Sequence, residues 1–126
     1  MKKIVLVLVT FLAVVSCKNN NEVKPEDLGN YLIYTSLTAS KFDKVEVKLD
    51  GKTVGVLTKP FVPSTIISVP PCGSETEGIV LNLSRPLGSY SLDAVATLNG
   101  KQVTKWSSSL RFETGSCKRT RLTSDL

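Results

Sequence analysis

Lys44-Val45-Glu46-Val47-Lys48-Leu49-Asp50-Gly51-Lys52-Thr53-Val54-Gly55-Val56-Leu57-Thr58 decides the fold class. Val45, Val47 and Leu49 alternate with Lys44, Glu46 and Lys48, which makes one face of an extended chain apolar and the other charged. Asp50-Gly51 separates this run from residues 53–58, four of which are the β-branched Thr53, Val54, Val56 and Thr58. A two-residue hairpin loop needs positive φ at both central positions, and Asp-Gly tolerates that. The stretch therefore predicts a β-hairpin with one wet face. Asn99-Gly100 repeats the device between residues 90–98 and 101–107. In the first of these runs Tyr90, Leu92, Ala94, Ala96 and Leu98 share one face, and Ser89, Ser91, Asp93, Val95 and Thr97 share the other.

Working outward, residues 31–38 are β-branched and aromatic, with Tyr31 and Tyr34 on opposite faces, so one of the two is expected in solvent. Ile79, Leu81 and Leu83 alternate, and Trp106, Ser108, Leu110 and Phe112 line one face of a further strand. Residues 118–122 make the last. Pro60, Pro63, Pro70 and Pro71 lack the ladder N–H and mark edges and loops, with a short strand expected between them at residues 65–69. After residue 17 no stretch shows helical apolar spacing. The expectation is an all-β chain: a two-sheet antiparallel β-sandwich of seven or eight short strands, Greek-key-like. Leu87-Gly88-Ser89-Tyr90 is similar to the tyrosine corner of such sandwiches, in which the hydroxyl bonds back to nearby backbone; a plain core tyrosine is the alternative.

The N-terminal segment has a different character. Met1-Lys2-Lys3 is positively charged, residues 4–15 are apolar apart from Thr10, and Ser16 is small. That is the order of a secretory signal peptide. The 12 residues from Ile4 to Val15 are too few for a membrane-spanning helix, which needs about 20. Val14-Val15-Ser16-Cys17 resembles the lipobox of bacterial lipoproteins, with Val in place of the commoner Leu at its first position. The resemblance implies that Cys17 becomes the N-terminus and carries diacylglycerol on sulfur and an acyl chain on nitrogen. Several chains anchor stably where one does not. Lys18 is not the acidic residue that favours inner-membrane retention in such lipoproteins, so the resemblance implies a bacterial cell envelope, lipid-anchored location at the outer membrane. Residues 1–16 are thus read as the signal peptide, 17–29 as the lipidated cysteine and a polar tether, and 30–126 as the β-sandwich domain.

With Cys17 occupied by lipid, Cys72 and Cys117 remain of the 3 cysteines. An exported compartment is oxidising, so the two are expected to form a disulfide; free thiols or half a metal site are the alternative. From Cys72 on, Cys72-Gly73, Gly88-Ser89-Tyr90, Trp106 and Gly115-Ser116-Cys117 resemble the order of parts in small immunoglobulin-like or transthyretin-like domains of exported bacterial lipoproteins. That resemblance implies a fold and not a function.

Composition narrows the chemistry. Removing 16 residues from 126 leaves 110, one domain with a tether, and losing Lys2 and Lys3 reduces the net charge from +5 to +3. So small a surplus, in an exported chain, argues against nucleic acid as a partner. The chain has no histidine, hence neither the commonest general base nor the commonest zinc ligand. Lys105 with Ser107 or Ser109 is a Ser–Lys pair on paper, but strand alternation turns these residues to solvent. Glu26-Asp27 and Glu75 with Glu77 read as solvated loop charge, and Asp27, Glu75 and Glu77 form no dense calcium loop.

Three residues are candidates for binding. Arg119 and Arg121 share a strand face and could meet anionic headgroups, although a charged edge strand also discourages edge pairing. Trp106 could stack on a sugar, although Leu110 and Phe112 beside it point to a core position. The expected function is a lipid-anchored, non-enzymatic envelope module for binding or structure, without cofactor. An accessory lipoprotein subunit of an envelope or secretion complex, and a glycan-binding module, are the alternatives. The expected partners are membrane lipid through acylated Cys17, and a protein or glycan of the envelope.

Overall fold

A computed structural model of the chain describes residues 27–123. The signal peptide, Cys17 and residues 17–26 of the tether lie outside them. Seven strands follow in order: β1 (Leu28–Thr35), β2 (Lys44–Leu49), β3 (Lys52–Leu57), β4 (Val80–Pro86), β5 (Gly88–Leu98), β6 (Lys101–Phe112) and β7 (Cys117–Leu122). They form a three-stranded sheet, β4-β1-β7, packed on a four-stranded sheet, β3-β2-β5-β6.

The four-stranded sheet is built from the two hairpins. Asp50 and Gly51 have φ of 50° and 84°, and Asn99 and Gly100 have 54° and 80°, the left-handed conformation that these turns require. The hairpins then join through antiparallel β2 and β5. Each turn is tied back by an aspartate. Asp50 Oδ1 accepts the Ser91 amide at 2.8 Å, and Asp43 Oδ2 accepts the Asn99 amide at 2.6 Å.

Val45, Val47, Leu49, Leu57, Leu92, Ala94, Ala96, Trp106, Leu110 and Phe112 point from this sheet into the core. Ile33, Leu83 and Leu122 meet them from the other sheet. Gly55 of β3 lets the layers close, because a Cβ there would lie 2.5 Å from Leu81 Cδ2. Tyr90 forms the expected corner: its hydroxyl donates to the Pro86 carbonyl at 2.7 Å while its ring packs edge-on to Phe112.

The expected all-β, two-sheet sandwich of seven strands is what forms, antiparallel except for one parallel pair, β1 with β7. Several other expectations are corrected. β1 starts at Leu28, inside the expected tether. Gly29 allows this: a Cβ would lie 2.6 Å from the Glu113 amide and 2.8 Å from the Phe112 carbonyl carbon, so only glycine fits against the end of β6. Residues 65–69 are not a strand. Ser64 Oγ accepts the amides of Ile66 and Ile67, and the Ser64 amide donates to the Ile67 carbonyl, which closes a local turn. Ile79 precedes β4 and leaves the alternating run.

Candidate functional site: a stapled loop over the three-stranded sheet

β1 carries four consecutive buried residues, Leu32 to Thr35. A strand with one wet face cannot do that, so both faces of this sheet are covered. Ile33 faces the four-stranded sheet. Leu32 and Tyr34 face the other way and form a second cluster with Val80, against which Phe61, Ile79 and Cys117 pack. Neither Tyr31 nor Tyr34 is in solvent: Tyr31 is half-buried against Phe112, with ring centroids 5.3 Å apart, and Tyr34 is buried. Thr35 closes the strand with its hydroxyl donating to the Leu122 carbonyl at 2.8 Å and accepting the Leu37 amide at 3.1 Å.

The cover is the connection between β3 and β4, the 22 residues from Thr58 to Ile79. Connections beyond about 12–15 residues without regular structure are uncommon in compact domains and tend to be functional. This one is fastened at four places. Its base closes where the Thr58 and Lys59 amides donate to the Gly78 carbonyl, at 2.7 and 3.0 Å. Phe61 lies edge-on to Tyr34, 5.4 Å between centroids, and its amide donates to the Thr35 carbonyl at 2.9 Å. Arg119 Nε donates to the carbonyl of Pro70, a buried residue, at 2.7 Å. Cys72 is disulfide-bonded to Cys117 at the start of β7, with 6.0 Å between their Cα atoms.

The chain therefore runs the length of the sheet. Thr35, beside Phe61, pairs with Leu122, whereas Cys117, bonded to Cys72, pairs with Asn30. Between Phe61 and Pro70 it turns outward and leaves Val62 76% and Ile66 89% exposed, with Ile67 and Val69 also in solvent. Behind them is an apolar hollow of about 460 Å³ that Phe61, Ile67, Pro71, Ile79 and Val80 help line, with no charged side chain in its wall.

Arg119 and Arg121 share the outer face, as expected from alternation, because their β1 partners are Leu32 and Tyr34. Arg119 is a clasp for the loop rather than a free cation. Arg121 is exposed and borders an open cleft of about 570 Å³ at the sandwich end, with Lys41 and the hydroxyls of Ser36, Thr38 and Thr104. Trp106 is 2% exposed and donates from Nε1 to the Thr123 carbonyl at 2.6 Å. Its ring offers no face to a sugar, because Leu110 and Phe112 follow it into the same core. Lys105, Ser107 and Ser109 are exposed, and the Ser107 hydroxyl donates to Asp93 Oδ1 at 2.8 Å, so its partner is a carboxylate and not Lys105.

Among the described residues the ion pairs join Glu113 to Arg111 at 3.2 Å and to Lys118 at 2.7 Å. The Lys118 ammonium beside Glu113, helped by Arg111, holds that carboxyl below the usual glutamate range. Among the same residues no group of three His, Cys, Asp or Glu side chains is placed to hold a metal, and no helix is long and apolar enough to cross a membrane. No protein-family model, curated protein or solved structure matches the chain.

Cys72, Cys117 and Arg119 stand out in the sequence, whereas the loop as a surface does not. The signal was present in Val62, Ile66, Ile67 and Val69, aliphatic residues interleaved with Pro63, Pro70 and Pro71. Apolar residues that cannot join a ladder have no place in a sheet core.

Proposed function

We propose that this chain is a lipid-anchored, non-enzymatic binding module of a bacterial envelope, tethered through Cys17 and presenting the stapled loop as its contact surface. The observation that carries the reading is the Cys72–Cys117 disulfide holding a 22-residue connection across a sheet while four aliphatic side chains point to solvent. Two consequences support it. Disulfides of this kind persist in oxidising compartments, in keeping with export. Exposed aliphatic residues on a loop fastened on both sides mark a preformed contact surface, because little conformational freedom remains to be lost on binding.

The anchor rests on Val14-Val15-Ser16-Cys17, and the polar segment that follows suits a tether. An accessory lipoprotein subunit of an envelope complex would use the same loop against a protein. Metabolic labelling with an alkyne-bearing palmitate analogue tests the anchor. The reading expects label on the wild-type chain and none on Cys17→Ser. An unlabelled wild-type chain, or equal label on both, overturns it.

A further inference from the structure

We infer that the loop between Phe61 and Pro70 seats on an anionic lipid surface, with Val62, Ile66, Ile67 and Val69 entering the headgroup–acyl boundary and Lys59 and Arg121 meeting headgroup phosphates. The inference deepens the binding reading above by naming the partner of that surface.

Charge carries the first part. Residues 58–71 contain Lys59 and no acid, and the neighbouring strand face holds Arg119 and Arg121. Glu75 and Glu77 lie beyond Cys72, on the limb that returns to β4; Ser74 and Thr76 of that limb help line the hollow behind the tip, whose wall carries no acid. Aliphatic side chains flanked by cations are the composition that binds a bilayer interface, by apolar insertion together with attraction to anionic headgroups. Protein interfaces favour tyrosine, tryptophan and arginine anchors, and the tip has no aromatic residue.

Placement carries the second part. β1 begins at Leu28, two residues from Asn30, and Asn30 is the register partner of Cys117, the residue that staples the loop. The chain from residue 17 thus enters the fold at the stapled end of the loop. Ten residues, Lys18 to Asp27, separate Cys17 from Leu28, a span that reaches about 35 Å at most. A domain held that close to a bilayer has its apolar tip within range of it.

The seven strands, both core clusters and the disulfide of the described residues lie within residues 28–122, so the chain from residue 17 on contains all of them. Residues 17–126 carrying Cys17→Ser are mixed with vesicles of phosphatidylethanolamine and phosphatidylglycerol, or of phosphatidylcholine alone, and sedimented. The expected result is stronger partition onto the anionic vesicles, weakened by salt. Ile66→Asp should lower it about tenfold, the ratio set by withdrawing one aliphatic side chain from an apolar phase. Arg121→Glu should remove much of the preference for anionic lipid.

Leu87→Asp serves as control, because Leu87 is an exposed aliphatic residue at the β4–β5 turn that borders neither the loop hollow nor the Arg121 cleft; it should partition as the parent does. Near-ultraviolet circular dichroism of Trp106 checks the fold of each variant. Equal partition of Ile66→Asp and its parent, equal loss in Leu87→Asp, or no binding to anionic vesicles overturns the inference; the last result would leave a protein as the occupant of the loop. Because this chain carries no acyl group, the outcome does not depend on whether Cys17 is lipidated in cells.

Discussion

Reducing the Cys72–Cys117 bond should remove a large part of the stability of this domain. The bond closes 117 − 72 = 45 residues, and freeing a loop of that length in the unfolded chain is worth about 4 kcal/mol at 25 °C by chain entropy. Domains of this size hold about 5–15 kcal/mol in total. Each kcal/mol moves Tm by about 4–8 °C for a domain near 100 residues, so reduction should lower Tm by about 15–30 °C. The cost does not stop at entropy. Cys72 is one of the ties that hold the loop over Leu32, Tyr34 and Val80, and its release lets water reach that cluster.

The assay is urea unfolding with and without reductant, repeated on Cys72→Ser/Cys117→Ser and followed by Trp106 emission. Trp106 sits in the main core, away from the loop, and therefore reports the whole fold. A midpoint that falls with little change in slope fits the reasoning. A loss below about 1 kcal/mol would refute it, because it would mean that the loop closure contributes nothing the other ties do not already supply.

Three further outcomes follow from single contacts. Gly29→Ala should destabilise the fold by about 1–3 kcal/mol in the same urea assay, because the added Cβ meets backbone of Phe112 and Glu113 that cannot turn aside. Tyr90→Phe should cost about 1 kcal/mol through the lost bond to the Pro86 carbonyl, with the ring packing on Phe112 retained. Glu113 binds its proton more weakly when folded than unfolded, because Lys118 and Arg111 favour the carboxylate. Its small, salt-sensitive contribution is therefore complete above the ordinary glutamate value and fades as pH falls through the lowered folded value. Glu113→Gln should flatten that part of a stability–pH curve in low salt and leave neutral-pH folding intact.

The hairpins were legible from the chain because each carries two independent local signals, a period of two and an Asp-Gly or Asn-Gly turn. Tyr90 was legible for a similar reason, as Gly88 introduces a strand whose alternation points the ring inward. The cysteines followed from counting. β1 was only half legible: residues 32–35 are buried on both sides, and the second cover comes from 22 residues far along the chain. No periodicity announces a face that a distant loop will hide.

Residues 65–69 misled for the converse reason. Ile66, Ile67 and Val69 have strand propensity, but propensity reports the fit to a pleated surface, and no neighbouring strand offers one here. The parallel β1–β7 pairing joins residues about 87 positions apart, as Thr35 and Leu122 show. Such pairing is set by closure of the whole sandwich and not by any short run of sequence. Arg119 was visible as a cation, yet its bond to the Pro70 carbonyl depends on that same closure.

The most direct test of the account is intact mass spectrometry of the chain recovered from bacterial envelopes. A lipid-anchored module predicts a polypeptide that begins at Cys17, heavier than its sequence by a diacylglycerol and an acyl chain, and lighter by two hydrogens for the Cys72–Cys117 bond. An N-terminus at any other residue, or an unmodified Cys17, would contradict it.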